Sequence, residues 1–490
     1  MNRSTSSLSS VTEAETLLAK AYINSRWVVT NDDIEVVNPA TGQVFARVCA
    51  VNREQIQEAL QAADDAFAGW RALTARERGT VLNRAADELQ RRHSEIARTI
   101  TLENGKPLAQ SEGEVAMAQD HLRWFAEEGK RAYGRTVPQQ SSSKRHLIIK
   151  TPIGPVGAIA PWNFPLVLSV RKAAPALAAG CPVILKPAQK TPLCAVAFAE
   201  CMEAAGVPRG VFQLVIGDAV MIADEFLNSP LCRKITFTGS TEVGRQLIRK
   251  AADSIKPLSL ELGGHAPVLV FDDCDLDDAV RETVIAKFRN TGQSCIAANR
   301  VYVQKRIYPE FMERFVAAVR KLKIGDGLEP GVDVGPLIGE SALRSALHQV
   351  EDAVSHGGIV RCGGKRLAGT QGYFLEPTVI EGMRDEALCM REETFAPIAP
   401  VVSFDTEEEG IEHANASCYG LSAYVMAREF GRIFRCAERL EAGTIGVNDG
   451  APSTSQCPFG GIKQSGWGRE LGSEGLEEFL DTKHISISGI

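Results

Sequence analysis

The chain of 490 residues carries 54 lysines and arginines against 61 aspartates and glutamates, which gives a formal net charge of −7 at pH 7. This mildly acidic balance argues against nucleic acid or an anionic membrane as the main partner. No apolar run approaches the roughly 18 residues of a membrane span. At roughly 150 residues per domain, the length predicts about three domains or two large ones.

Twelve cysteines are scattered along the chain with no CxxC spacing, so neither a zinc nor an iron–sulfur site is expected. Several lie within apolar runs, as Cys181 does, which is typical of small buried side chains in a reducing, cytoplasmic compartment. The serine-rich segment 1–10 has one arginine and no apolar core. It is interpreted as a frayed tail, with a transit peptide as the alternative.

The predicted elements begin with a short lead-in over 1–50, followed by three long helices over 54–133, where apolar residues recur at spacings of three and four. Two extended runs around a polar tip predict an exposed β-hairpin over 134–150. A second α/β series is predicted over 267–447, and 484–490 reads as a final strand. Between 156 and 261, apolar runs alternate with helical stretches and predict βαβ units with a parallel sheet; the runs are 156–160, 183–185, 212–215, 234–238 and 258–260.

Two residues have side chains suited to covalent catalysis. Cys295 lies in a polar, glycine-containing stretch after a predicted helix, and such a loop suits a nucleophile that must reach a substrate. Taken alone, a single loop cysteine is more often structural. Glu261 ends an apolar strand just before two glycines, where a carboxylate can act as a general base or simply cap a loop.

Three further segments follow predicted strands, at the edge where doubly wound sheets bind ligands. In 161–165 (PWNFP), the amide of Asn163 can donate to a developing oxyanion, or the segment can be a rigid turn. Lys186 follows the next strand and can meet a ribose or a phosphate. The segment 237–244 runs from strand to glycine turn to helix and can face a pyrophosphate, although its spacing is not GxGxxG.

In this order and spacing, the five motifs resemble the aldehyde dehydrogenase superfamily over about residues 20–490, and the resemblance extends to 392–397 (EETFAP) and 458–463 (PFGGIK). It implies an α/β fold with a β oligomerisation arm, and exposed strand edges in such an arm need covering. A homodimer or homotetramer is therefore expected. The implied parts are a Rossmann-like cofactor-binding domain (1–133 and 152–263), an α/β catalytic domain (264–463) and the arm (134–151 and 478–490).

The resemblance implies Cys295 as the nucleophile and Glu261 as the general base. Asn163 and the backbone amide of Cys295 would form the oxyanion hole, and Glu470 would be a second acid that relays protons. In the implied reaction, the thiolate attacks an aldehyde, hydride leaves to a nicotinamide, and Glu261 activates the water that releases the acid from a thioester. A catalytically silent structural protein on the same fold is the remote alternative.

The resemblance also implies a cofactor site made of Trp162, Lys186, Gln189, Gly239, Ser240, Glu393 and Phe395, and no metal. Members that prefer NAD tend to carry glutamate at the position of Gln189, where its charge repels a 2′-phosphate. Glutamine removes that charge, and Lys186 and Lys190 lie nearby in the sequence. The prediction is that NADP⁺ is accepted and favoured, with NAD⁺ as the alternative.

Within the superfamily, the nearest resemblance is to succinate-semialdehyde dehydrogenases, through Arg171, Arg289 and Ser453. In that group, the equivalent residues grip the distal carboxylate of the substrate, and paired guanidinium groups suit a carboxylate. The alternative is that either arginine forms a salt bridge within its own domain. The loop 449–457 departs from the common pattern, so glutarate semialdehyde, another dioic semialdehyde or an aromatic aldehyde remains open as the substrate.

Overall fold

The computed structural model describes residues 17–489, so the prediction of a frayed N-terminal tail lies outside the described residues. Within 17–489, no helix combines the length and the apolar character needed to cross a membrane.

The first part of the chain consists of short strands followed by consecutive helices. In chain order these are β1 (Leu17–Ala19), β2 (Ala21–Ile23), β3 (Arg26–Val28), β4 (Asp33–Asn38), β5 (Gln43–Cys49), α1 (Arg53–Ala72), α2 (Ala75–Arg91), α3 (His93–Asn104) and α4 (Leu108–Glu128).

One feature of this part was not predicted, and one prediction was wrong in detail. The lead-in contains strands, and β2 and β3 extend the first large sheet. The helical region holds four helices, because Gly105 ends α3 with a left-handed φ of 90° and Pro107 caps the start of α4. Asn52 and Thr74 form capping boxes that set the starts of α1 and α2.

The middle part alternates strands and helices after a hairpin. Its elements are β6 (Arg135–Val137), β7 (Lys144–Pro152), β8 (Val156–Ile159), α5 (Pro165–Ala179), β9 (Val183–Lys186), α6 (Leu193–Ala204), β10 (Phe212–Leu214), α7 (Ala219–Asn228), β11 (Lys234–Thr238), α8 (Thr241–Ala251) and β12 (Leu258–Glu261).

The last part forms a second α/β series and a C-terminal strand. Its elements are β13 (Ala266–Val270), α9 (Leu276–Phe288), β14 (Ala298–Gln304), α10 (Tyr308–Arg320), α11 (Glu340–Ser355), β15 (Ile359–Cys362), β16 (Thr378–Glu381), α12 (Leu388–Arg391), β17 (Ile398–Phe404), α13 (Glu407–Asn415), β18 (Tyr419–Gly420), β19 (Ser422–Met426), α14 (Phe430–Arg439), β20 (Thr444–Val447), β21 (Ile462–Lys463), β22 (Gly466–Trp467), α15 (Gly472–Glu477) and β23 (Leu480–Ser488).

The first large sheet has eight strands in the order β22-β12-β11-β8-β9-β10-β2-β3. The five strands β8 to β12 run parallel, which confirms the βαβ prediction. Both faces are covered, since Val183 and Leu185 of β9 face one core cluster and Ile184 faces another. The strand order reverses between β8 and β11, and ligands bind doubly wound sheets at such a point.

The second large sheet has seven strands in the order β15-β16-β17-β14-β13-β19-β20, parallel except for β15. A third sheet, β23-β7-β6, is antiparallel and confirms the predicted hairpin. The final strand begins at 480 rather than 484, because it pairs with β7 from Leu480↔Pro152 to Ser488↔Lys144.

Candidate active site

Two neighbouring chain segments bring the predicted nucleophile and base together. Glu261 is the last residue of β12, and Cys295 lies on the loop between α9 and β14. Gly264, which closely follows Glu261 in the sequence, packs directly against Cys295. A Cβ at position 264 would lie 2.1 Å from the Cys295 carbonyl oxygen, so only glycine allows this close approach. The amide of Gly264 also donates to Glu393 Oε1 over 3.1 Å, so a third predicted site residue meets the same point.

The loop before Cys295 is held in an unusual backbone conformation. Asn290, Thr291 and Gly292 have φ values of 51°, 58° and 72°. Left-handed φ costs free energy for non-glycine residues, so surrounding contacts must maintain it. Thr291 Oγ1 donates to the Gly335 carbonyl over 3.2 Å, and Asn290 Nδ2 donates to the Asn163 carbonyl over 2.7 Å.

The Cys295 thiol lies in an environment that opposes ionisation. Burial, followed by the nearby charges of Glu393 and Glu261, raises the pKa of Cys295 to about 12, while Arg171 acts in the opposite direction. The carboxylate of Glu470 adds to the increase. The thiol is therefore protonated in the ligand-free protein, and reaction needs a group that removes its proton.

Asn163 follows β8 and lies against the Cys295 loop. Its Nδ2 donates to the Gln293 carbonyl over 3.2 Å, which brings the amide next to the residues that precede Cys295. Its own backbone carbonyl accepts from Lys106 Nζ over 2.7 Å. The amide predicted for the oxyanion hole is thus fixed at both its side chain and its backbone.

A buried ion pair that sequence reasoning missed supports Asn163. Lys106 Nζ lies 2.6 Å from Glu114 Oε2, and both side chains are fully buried. Glu114 Oε1 accepts from the amides of Leu166 and Val167 at the start of α5. These hydrogen bonds help to offset the cost of burying two charges. The one sequence signal was a lysine between a glycine and a proline in a helical region.

Glu261 faces a second buried carboxylate. Burial and the charge of Glu470 raise the pKa of Glu261 well above its usual range, and Lys172 opposes this effect. Lys172 Nζ donates to Glu470 Oε1 over 2.8 Å. Within 17–489, Glu261 Oε2 and Glu470 Oε2 are buried without a hydrogen-bond partner, so each is free to bond to a bound molecule or water.

The three residues predicted to bind the substrate carboxylate include two arginines without a counterion. Arg171 on α5 is buried, and its Nη2 donates to Ser453 Oγ over 2.8 Å. Its guanidinium lies 4.9 Å from the centre of the Phe459 ring, and that of Arg289 lies 5.3 Å from the Phe164 ring. Among residues 17–489, no carboxylate forms a salt bridge with either arginine, although the charges of Glu470 and Glu261 act on Arg171 from a greater distance.

The residues predicted for the adenosine end of the cofactor lie at the carboxyl ends of β9 and β11. Burial lowers the pKa of Lys186 to about 8, and the charge of Asp218 raises it. Gln189 Nε2 donates to the Gly217 carbonyl over 2.8 Å. Ser240 caps α8 by accepting from the Val243 amide over 3.3 Å, and a helix start of this kind suits a phosphate.

Gly239 precedes that cap and is required by close packing, because a Cβ there would lie 2.3 Å from the Phe237 ring. Its amide donates to the Glu261 carbonyl over 3.0 Å. The predicted phosphate-binding turn is therefore bonded directly to the strand that carries the predicted base.

Glu393, which the resemblance places on the nicotinamide ribose, lies near Cys295, since its charge contributes to the raised pKa of that thiol. Burial raises the pKa of Glu393 to about 7. Trp162 and Phe395 meet edge to face, with ring centroids 5.4 Å apart and an interplanar angle of 78°. The aromatic pair, Glu393 and Lys186 together fit a dinucleotide, which needs an apolar wall for its ring and polar groups for its riboses.

Known proteins are similar to this chain over nearly its whole length. A profile of the aldehyde dehydrogenase family matches residues 27–485. The chain is 47% identical over 480 residues to the glutarate-semialdehyde dehydrogenase of Pseudomonas aeruginosa, covering 98% of this chain and 99% of that one. It is 47% identical over 470 residues to the NADP(+) succinate-semialdehyde dehydrogenase of Escherichia coli, covering 96% and 97%.

A solved structure is similar throughout. The succinate-semialdehyde dehydrogenase from Burkholderia pseudomallei matches with a TM-score of 0.95 at 44% identity, covering 96% of this chain and 98% of that chain. The motif order, the two large sheets and the full-length similarity agree, and this chain belongs to the aldehyde dehydrogenase family.

Proposed function

We propose that this protein oxidises a small aldehyde bearing a distal carboxylate, with succinate semialdehyde to succinate as the best-supported reaction. The observation that carries the proposal is the buried Arg171 guanidinium, which has Ser453 beside it and no carboxylate partner within 17–489. A buried cation without a counterion is costly, and an anionic substrate offsets that cost. Arg289 supplies a second guanidinium.

In the proposed mechanism, water in the site carries the proton of the Cys295 thiol to solvent, and the resulting thiolate adds to the aldehyde carbon. The Asn163 amide and the Cys295 backbone amide donate to the resulting oxyanion. Bound NAD(P)⁺ supplies the hydride acceptor, and loss of hydride from the substrate leaves a thioester on Cys295. Glu261 then takes a proton from water, the water oxygen attacks the thioester carbon, and the carboxylic acid leaves as the thiol is restored.

The electrostatics favour Glu261 as the proton acceptor in this scheme. A carboxylate whose pKa is raised is a stronger base. Burial and the charge of Glu470 raise the pKa of Glu261 in this way. Glu470, which is paired with Lys172, is proposed to relay the proton onward from Glu261.

We expect Arg171→Met to raise KM for succinate semialdehyde about 10- to 100-fold, the amount typical of losing hydrogen bonds to a charged group. The reason is that the substrate carboxylate loses its buried partner. Steady-state kinetics with succinate semialdehyde and with butanal, which has the same carbon chain and no carboxylate, make the comparison. Equal losses with both aldehydes would contradict carboxylate recognition.

Glutarate semialdehyde is the second candidate, favoured by the 47% identity to the Pseudomonas aeruginosa enzyme of that name. It differs from succinate semialdehyde by one methylene, which is worth only about 1–3 kcal/mol in a pocket. The values of kcat/KM for the two semialdehydes and for benzaldehyde, measured on one preparation, rank the dioic and aromatic alternatives.

We further propose that NADP⁺ is the favoured cofactor. Gln189 is neutral, and buried Lys186 lies at the end of the neighbouring strand β9. The similarity to the Escherichia coli NADP(+) enzyme supports the same choice.

Gln189→Glu is expected to shift the ratio of kcat/KM for NADP⁺ over NAD⁺ by about tenfold or more toward NAD⁺, because a carboxylate repels the 2′-phosphate. Gln189→Met, which removes the amide without adding charge, is the control. A wild-type enzyme that strongly prefers NAD⁺ would refute the proposal for the cofactor.

We also propose a homodimer or homotetramer assembled through the sheet β23-β7-β6. All three residues of its edge strand β6 are exposed, and unpaired strand edges favour association. Sedimentation equilibrium tests this, and a monomer would refute it. The twelve cysteines are all free, which supports the proposal of a reducing, cytoplasmic location.

A further inference from the structure

Behind Arg171 lies a buried histidine that the mechanism above does not use. His121 on α4 is buried, and its Nε2 lies 3.1 Å from Arg171 Nε. Its Nδ1 lies 2.7 Å from Ser455 Oγ. Ser455 Oγ in turn contacts a carboxylate oxygen of Asp120, an exposed residue one position before His121.

The donors and acceptors in this row allow one arrangement. Arginine Nε can only donate, so His121 Nε2 accepts and its proton resides on Nδ1. Nδ1 then donates to Ser455 Oγ, and the Ser455 hydroxyl donates to the carboxylate of Asp120. Burial and the charge of Arg171 hold the pKa of His121 well below its usual range, so the ring is neutral.

The row His121–Ser455–Asp120 determines which edge of the Arg171 guanidinium remains available to a ligand. Nε is taken by His121, and Nη2 contacts Ser453 Oγ and, at 3.9 Å, Met117 Sδ. A carboxylate can engage arginine across Nε and Nη2 or across Nη1 and Nη2. His121 closes the first edge, which leaves the second for a ligand.

We propose that His121 is a positioning residue that holds Arg171 with its Nη1–Nη2 edge toward the substrate carboxylate, and that Ser455 and Asp120 fix the tautomer this requires. The inference rests on the proposed function, since it assumes that Arg171 binds the carboxylate. It assigns the row His121–Ser455–Asp120 to substrate affinity rather than to the chemistry at Cys295.

Two shape-related variants separate positioning from packing. His121→Gln can place an amide oxygen near the position of Nε2 and so keep an acceptor for Arg171 Nε. His121→Asn can place an amide nitrogen near Nδ1, which keeps the donor to Ser455 and loses the acceptor. Both replace a neutral ring with a neutral amide, so neither adds charge to the site.

Steady-state kinetics of the full-length enzyme with succinate semialdehyde and with butanal give the test. His121→Asn is expected to raise KM for succinate semialdehyde about tenfold, consistent with loss of one buried hydrogen bond to a charged group, with kcat within about twofold of wild type. Its KM for butanal should not change. His121→Gln is expected to restore KM to within about threefold of wild type.

Unchanged KM for succinate semialdehyde in His121→Asn, or an equal rise with both aldehydes, would overturn the inference. Arg171→Met, assayed in parallel, distinguishes failure of this inference from failure of the proposed function. If Arg171→Met also leaves KM unchanged, the proposed recognition of the carboxylate fails instead. If the His121 variants do not fold, Ser455→Ala replaces them. It removes the acceptor for Nδ1 and is expected to raise KM for succinate semialdehyde alone, and no such rise would also overturn the inference.

Discussion

Replacing Cys295 with serine is expected to lower kcat/KM for aldehyde oxidation by at least about 10⁴-fold, the scale typical of losing a catalytic nucleophile. A serine hydroxyl is a far weaker nucleophile than a thiolate and is a poorer leaving group when the acyl enzyme is hydrolysed. Initial rates of NAD(P)H formation measure the loss. Binding of NADPH, followed by fluorescence, should be retained.

Cys362→Ser is the matched control. Cys362 is also partly exposed, and it lies on β15 at the edge of the second large sheet. This variant should oxidise succinate semialdehyde at the wild-type rate. Activity that survives in Cys295→Ser, or is lost in Cys362→Ser, would contradict the assignment of Cys295 as the nucleophile.

Replacing Glu261 with glutamine is expected to lower kcat about 10²- to 10⁴-fold, the usual contribution of a positioned general base. The amide cannot take a proton from the water that attacks the thioester. The variant should still release about one equivalent of NAD(P)H per active site in a rapid burst, because only the later hydrolysis is impaired. Stopped-flow absorbance measures the burst and the slow phase separately.

The pH dependence of kcat tests the role of Glu261 in a second way. Below its raised pKa, Glu261 is protonated and cannot act as a base, so wild-type kcat should rise as pH increases through that value. Glu470→Gln removes the like charge that raises this pKa and should move the rise to lower pH. A Glu261→Gln enzyme with neither burst nor turnover would instead assign Glu261 to activation of the thiol.

Much of the fold was predictable because its signals are local. The strands β8 to β12 are short apolar runs buried on both faces, and such runs are visible without knowledge of the tertiary structure. The strands of the lead-in were not predicted. The strands β1, β2 and β3 have only three residues each, and β2 owes its place to pairing with β10 far along the chain.

In the candidate site, too, some residues could be predicted from the local sequence and others could not. Cys295 and Glu261 could be singled out because each lies in a loop or at a strand end with a recognisable neighbourhood of sequence. Lys106 and His121 could not, because both lie within or beside helices, where a polar residue usually faces solvent. Their importance comes from contacts with Asn163 and Arg171, which are distant in sequence.

The short strand β22 makes the proposed base depend on a distant part of the chain. It pairs with β12 through Glu261↔Gly466, and Glu470 follows a few residues later. The strand that ends in the proposed base is therefore completed by a segment that lies far along the chain from it. Removing the segment from Gly466 onward is expected to leave β12 with an unpaired edge and to take away Glu470, so aldehyde oxidation should be lost even where β8 to β12 still fold.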